Sequence, residues 1–194
     1  MRMSIGVLAL QGAFLEHEKM LERLGADHYE IRSLADLRPM DGLILPGGES
    51  TTMGKLLRDS GLFEPLRAMI VAGLPVFGTC AGMILLATSV ENDQRTHFRT
   101  LDVDVIRNAY GRQLGSFATT SVMEGVGDVP MVFIRAPYVD SVSGTTEVLA
   151  VVDGKIVAVR EGNQLATAFH PELSDDTRIH DYFLDIVRQH RQGR

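Results

Sequence analysis

Short apolar runs, each halted at glycine or proline and followed by a helical pattern, set the tightest limit on what this chain can fold into. Ser4 to Leu10 is the first, followed by Gln11-Gly12 and a stretch carrying Phe14, Met20, Leu21 and Leu24 near one helical face and closing at Gly25. Tyr29-Glu30-Ile31 reads as a second strand, and Gly42-Leu43-Ile44-Leu45 as a third that ends at Pro46-Gly47-Gly48. Helices are predicted over Thr52 to Arg58 and Phe63 to Ala72, before Leu74-Pro75-Val76-Phe77 leads into Gly78-Thr79-Cys80-Ala81-Gly82. Strands alternating with helices in this way predict an α/β fold with a mainly parallel central sheet and helices on both faces. Reactive groups then gather beyond the C-terminal ends of the strands.

The second half changes character. Strands are predicted at Val103 to Ile106, Met131 to Ile134, Val148 to Val152, Ile156 to Val159 and Leu165 to Phe169, with Asp153-Gly154 as a hairpin turn. A final helix from Thr177 to about Arg191 turns Ile179, Phe183, Ile186 and Val187 toward the core. No linker or compositional break divides the 194 residues, so residues 1–194 are expected to form a single domain.

Composition narrows the function classes. With 45% hydrophobic and 23% charged residues, the chain has neither a disordered nor a membrane-protein composition, and its apolar runs fall far short of a bilayer span. Met1-Arg2-Met3-Ser4 enters the first strand without a cleavage-like segment, so no secretory signal is read there. A net charge of −6 without a Lys/Arg-rich stripe argues against nucleic acid as a partner. The six histidines are scattered, and none shares a metal-site spacing, so no metal is expected. Cys80 is the only cysteine, which fits a reducing cytoplasm and leaves a thiol free for chemistry.

Cys80 follows a strand and precedes a helix, the position of a nucleophile on a strand-to-helix elbow. Flanking glycines permit the turn, and the Ala81 amide opens the helix beside the sulfur. A buried cysteine that only fills core space is the alternative. His170-Pro171-Glu172 also lies at a strand end, and proline biases His170 toward an extended backbone in which residues two apart share a side. Imidazole and carboxylate can then meet, supplying a base for Cys80 and a group that orients it; a surface turn is the competing reading. Pro46-Gly47-Gly48-Glu49-Ser50-Thr51-Thr52 lacks nucleotide-binding spacing. It reads as an oxyanion-hole loop, with one N–H from the Gly47/Gly48 turn and one from Ala81, or as a loop whose Ser50, Thr51 or Thr52 caps a helix.

Taken together, these segments resemble the glutaminase subunits of pyridoxal 5′-phosphate synthase, within the class I, triad-type glutamine amidotransferases. Gly78-Thr79-Cys80-Ala81-Gly82 and His170-Pro171-Glu172 carry the class. Gly6 to Ala13, Pro46 to Thr52, Arg107-Asn108-Ala109-Tyr110-Gly111-Arg112-Gln113, Phe133 to Pro137 and Ala166 to Leu173 carry the subunit. The resemblance implies a three-layer, flavodoxin-like fold and a triad of Cys80, His170 and Glu172. It also implies glutamine contacts from Gly48, Glu49, Ser50, Arg107, Ile134 and Arg135, and an oxyanion hole from Gly48 and Ala81. An arginine can clamp the substrate carboxylate; the alternative is that Arg107 and Arg135 merely form intrachain salt bridges.

Gln11 and His17 resemble positions facing the synthase, with local capping or surface roles as alternatives. The implied partner is a (β/α)8-barrel synthase subunit in a hetero-oligomer that receives ammonia from L-glutamine, and the chain itself is expected to need no cofactor. Tyr110 and Ala118 depart from the family pattern away from the triad, and Glu91 to Arg99 reads as a variable loop. A glutaminase serving another synthase, such as that of histidine biosynthesis, a cysteine peptidase and a non-catalytic regulatory subunit are the rival readings. The Arg107 to Gln113 run argues against the first, a panel of peptide substrates separates the second, and retention of all three triad residues speaks against the third.

Overall fold

Apolar runs that are buried on both faces become the strands of one large sheet. The structure is a computed structural model that describes residues 3–95, 97–107 and 115–193. In chain order its first half contains β1 (Ser4–Leu8), α1 (Phe14–Arg23), β2 (Asp27–Ile31), β3 (Gly42–Leu45), α2 (Ser50–Asp59), α3 (Phe63–Val71), β4 (Val76–Thr79), α4 (Ala81–Leu86) and β5 (Ala87–Val90). The second half contains β6 (Leu101–Ile106), β7 (Ser116–Met123), β8 (Gly127–Ile134), β9 (Tyr138–Val142), β10 (Glu147–Val152), β11 (Lys155–Glu161), β12 (Gln164–Thr167) and α5 (Arg178–Gln192). A 3-10 turn at Pro171–Leu173 joins the last strand to the last helix.

Strand order in the main sheet is β2-β1-β3-β4-β12-β11-β9-β6-β5, with β10 also paired to β11. From β2 to β12 every pairing is parallel, and so is β5 with β6. The pairings of β11 with β10, β12 and β9, and of β6 with β9, are antiparallel. The mainly parallel sheet therefore belongs chiefly to the first half, where helices carry the chain from strand to strand. In the second half, two-residue connections fold strands straight back. Asp153 and Gly154, both with positive φ (49° and 75°), make the predicted β10–β11 hairpin. β7 and β8 form a separate two-stranded sheet.

Alternation along β4 shows the two helical layers. Phe77 packs edge-on against His17 of α1 and His180 of α5 and is fully buried, worth about 1.5–3 kcal/mol on transfer grounds. Thr79, two residues on, bonds the same His17. Gly78 faces the other way, onto α4, where a Cβ would lie 2.7 Å from the Gly82 carbonyl. A Cβ at Gly82 would in turn lie 2.1 Å from the carbonyl oxygen of Leu45 in β3. Neither of these glycines has positive φ, so their role is close packing of α4 on the sheet rather than the turn expected of them. On the opposite face Phe183 and Val187 of α5 lie over Gly42, so close that a Cβ there would meet them at 3.1 and 2.9 Å. Among the described residues no helix is long and apolar enough to cross a membrane.

Candidate active site

β4 and β12 are neighbouring parallel strands that end together, Thr79 opposite Thr167. Cys80 follows the first directly, and its N–H donates to the Thr167 carbonyl at 2.8 Å. His170 leaves the second three residues later, its own N–H held by the Val132 carbonyl of β8 at 2.8 Å. Topology thus delivers both groups to one edge of the sheet. Cys80 has φ 51° and ψ −102°, a conformation that costs a residue with a Cβ on the order of 1–3 kcal/mol. The strain sits on the nucleophile itself, at the position opening α4.

His170 Nδ1 donates to Glu172 Oε1 at 2.6 Å, with both side chains buried. The expectation that Pro171 would let residues 170 and 172 meet is met, through a 3-10 turn rather than an extended segment. Burial works against charge on His170, but its hydrogen bonds with Cys80 and Glu172 outweigh it and push the imidazole up to about 10. The shift favours the protonated ring beside the sulfur, the form that can give a proton to a leaving group. Gly47 stands against this pair: a Cβ there would lie 2.3 Å from His170 Cε1 and 3.4 Å from Cys80 Cβ. The side chain is missing where the imidazole needs room.

The loop before α2 holds the other predicted residues. Gly47 offers its carbonyl to the Ala13 N–H at 2.9 Å, which orients the trans peptide joining it to Gly48 and turns the Gly48 N–H to the opposite side. Gln11 Oε1 accepts from the Glu49 N–H at 2.9 Å, and a Cβ on Gly48 would lie 2.4 Å from that oxygen. Gln11 is thus half-buried against the loop rather than simply displayed at the surface. Glu49, not Ser50, Thr51 or Thr52, caps α2. Its carboxylate accepts from Thr51 N, Thr52 N and Thr52 Oγ1 at 3.0, 2.7 and 2.7 Å. Desolvation raises its pKa, yet these bonds outweigh it and lower it to about 2. Ser50 is buried in the first turn of the helix.

Arg107 reaches Asp93 Oδ2 at 3.1 Å and Glu49 Oε1 at 3.6 Å, so it stands beside the loop within an ion-pair network. The intrachain pairing that sequence left open for it is present. Asp93 also accepts from Arg95 N and Nε, and it lies in the Glu91 to Arg99 segment read as a variable loop. That segment is anchored by fully buried Phe98 and by buried His97. Ile134 ends β8, the strand whose Val132 holds His170, and Arg135 follows it; both are exposed. Arg135 takes φ 43°. Ala118 lies on the exposed side of β7, whereas Tyr110 and the rest of the Asn108 to Gln113 run fall outside the described residues. Among the described residues no group of three or more His, Cys, Asp or Glu is arranged to hold a metal ion.

His17 requires a correction. Expected at a face toward a partner, it is fully buried, beneath the triad. Its ring bonds His180 Nε2 at 2.8 Å and Thr79 Oγ1 at 3.1 Å, and its Nε2 lies 3.6 Å from Glu172 Oε2. A histidine in the first helix, on the same face as Met20 and Leu21, was legible as inward-facing by helical spacing alone.

Residues 7–189 match the sequence model of the SNO glutamine amidotransferase family. Over 194 residues the chain is 55% identical to "Pyridoxal 5'-phosphate synthase subunit PdxT" of Streptococcus pneumoniae (strain CGSP14), covering 98% of this chain and 100% of that protein. A protein of the same name from Methanocorpusculum labreanum is 58% identical over 186 residues, covering 95% and 98%. A solved structure described as a glutamine amidotransferase superposes with a TM-score of 0.90 at 44% identity, covering 95% of this chain and 98% of that one.

Proposed function

The chain belongs to the SNO glutamine amidotransferase family, and we infer that it hydrolyses L-glutamine to glutamate and ammonia as the glutaminase subunit of a pyridoxal 5′-phosphate synthase. The observation that carries the chemistry is the strained Cys80 beside a His170 whose pKa is raised by its bonds with Cys80 and Glu172. The Cys80 sulfur, its proton carried by His170, attacks the side-chain carboxamide carbon, forming a C–S bond and an oxyanion that the amides of Gly48 and Ala81 stabilise. His170 gives its proton to the departing nitrogen as the C–N bond breaks. Water, giving its proton to the now neutral His170, then attacks the thioester; glutamate leaves as the C–S bond breaks, and the freed Cys80 sulfur is again beside the protonated ring. The whole chain acts as one glutaminase domain, supported by the single continuous apolar core.

Gly48, Glu49, Ser50, Arg107, Ile134 and Arg135 form the glutamine pocket in this reading, supported by the contact of the Gly47-Gly48 loop with His170, the pairing of Arg107 with Glu49, and the bond from His170 to the strand that ends at Ile134. Arg107→Ala is expected to raise the KM for glutamine on the order of tenfold or more while changing kcat little, since a charge-assisted hydrogen bond is worth roughly 1.5–3 kcal/mol. Arg135→Ala tests the second arginine in the same way. A fall in kcat with unchanged saturation, read from initial rates, would assign Arg107 to structure instead.

Ammonia freed into water becomes ammonium and loses its nucleophilic lone pair, so the product must pass directly to the synthase subunit. We place that subunit, a (β/α)8 barrel, against the face that includes Gln11, which already bonds the Gly48-Glu49 loop. Docking there can bias the loop's peptide planes, and one aimed oxyanion donor is worth roughly 10²–10³ in rate. A functional thiol with no disulfide partner supports a cytoplasmic location. The test is ammonia release from glutamine by the chain alone and with the synthase subunit: low activity alone and strong stimulation on mixing are expected. Absence of glutamine turnover in the assembled complex would overturn the assignment.

A further inference from the structure

Behind the triad lies a buried polar chain that the hydrolysis scheme does not use. Glu172 turns Oε1 to His170, but its Oε2 is buried with no hydrogen-bond partner among the described residues. The polar hydrogen donor that faces Oε2 is His17 Nε2, 3.6 Å away and itself 3.1 Å from Thr79 Oγ1. His17 Nδ1 meets His180 Nε2 at 2.8 Å, and His180 Nδ1 is again buried without a partner. Polar groups this deep are costly unless they do something specific.

The unpaired His180 Nδ1 decides the protonation pattern. A buried N–H without an acceptor is rarer and costlier than a bare lone pair, so His180 carries its proton on Nε2 and donates to His17 Nδ1. His17 must then carry its proton on Nε2, aimed at Thr79 Oγ1 and the Glu172 carboxylate. The opposite tautomers would set a lone pair against a carboxylate and leave an N–H of His180 stranded. We propose that His17, its tautomer set by His180, is a positioning residue that holds the Glu172 carboxylate correctly turned toward His170.

Around His17 stand His180 from α5, Thr79 and Phe77 from β4, Glu172 from the 3-10 turn, and the charge of His170 farther off. Burial first, then His180 and His170, keep His17 neutral, its pKa well below the ordinary 6.5. Burial alone pushes His180 down to about 3. Neutral rings suit the role, because a dipole can orient a carboxylate without taking its partner's place as the proton carrier. At 3.6 Å the contact with Oε2 is an ion–dipole contact, too long for a hydrogen bond.

The proposal rests on the triad reading, so its test is built to fail separately. His17→Leu, assayed for glutamine hydrolysis in the complex with the synthase subunit, is expected to lower kcat on the order of tenfold with KM unchanged. His17→Gln, which keeps a donor near the Nε2 position, should restore most of kcat. In a Glu172→Ala background, His17→Leu should cost less than about twofold, because the group it acts on is gone.

If thermal unfolding shows that His17→Leu does not fold, His180→Phe is the second variant. It frees His17 to take the other tautomer and should lower kcat in the same way with KM unchanged. Equal losses with and without the Glu172 carboxylate, or a loss confined to KM, would overturn the proposal while leaving the triad intact. Loss of the triad reading would appear instead as glutamine turnover surviving Cys80→Ala.

Discussion

Cys80→Ala is expected to abolish ammonia release from glutamine, by on the order of 10⁴-fold or more, while leaving fold and partner binding intact. The substitution removes only the sulfur. Its Cβ stays 3.4 Å from where a Gly47 side chain would begin, so the space around His170 does not change. Alanine is strained at φ 51° much as cysteine is, and the Cys80 N–H that donates to Thr167 belongs to the backbone, so the elbow keeps its shape. Cys80→Gly is a poorer control because glycine relaxes that strain. In the complex with the synthase subunit, an ammonium salt supplied instead of glutamine should restore pyridoxal 5′-phosphate formation by the Cys80→Ala protein. Substantial glutamine turnover by the variant would remove Cys80 as nucleophile. Failure of ammonium to rescue, with the synthase subunit shown to be active, would remove the chain as ammonia donor.

The second large effect separates two residues that bond each other. His170→Asn should approach the loss seen for Cys80→Ala, because the imidazole both gives a proton to the leaving nitrogen and takes one from water, and general acid–base catalysis contributes roughly 10²–10⁴ at each such step. Glu172→Gln should retain more activity, on the order of tenfold or more above His170→Asn, because the carboxylate orients and charges the ring without carrying the proton. Single-turnover measurements of thioester formation and breakdown check both halves of the role. Slow formation and slow breakdown are expected for His170→Asn. Equal and negligible effects of the two substitutions would mean that another base serves Cys80.

Much of the local architecture was legible along the chain because burial on both faces writes itself as uninterrupted apolar sequence. Gly42–Leu45 and Val76–Thr79 are buried at every position, and both were readable as strands. α5 was readable because Ile179, Phe183, Ile186 and Val187 recur at helical spacing. β5, β7 and β9 were not. Ala87-Thr88-Ser89-Val90 is short and half polar, and Ser116–Met123 alternates exposed and half-buried positions with alanine, serine and threonine among them. Their strand character comes from partners, β6 for the first and β8 for the second, which sequence does not name.

The site divides along the same line. Cys80 at a strand-to-helix junction and the His170-Pro171-Glu172 tripeptide were evident from residue order, because an elbow and a base two residues from its carboxylate are local arrangements. That the two meet was decided by β4 and β12 lying side by side and parallel, a contact between segments some ninety residues apart that no local pattern encodes. His17 was expected at a partner face although helical spacing could have marked it as inward, and only the packing of α1 and α5 over β4 brought it to His180, Thr79 and the unpaired oxygen of Glu172. Residue order determined which chemical groups stand at strand ends, because backbone turns and helix starts need particular residues there. Tertiary structure decided which of those groups share a buried, low-dielectric space, and in that space their charges and tautomers are set.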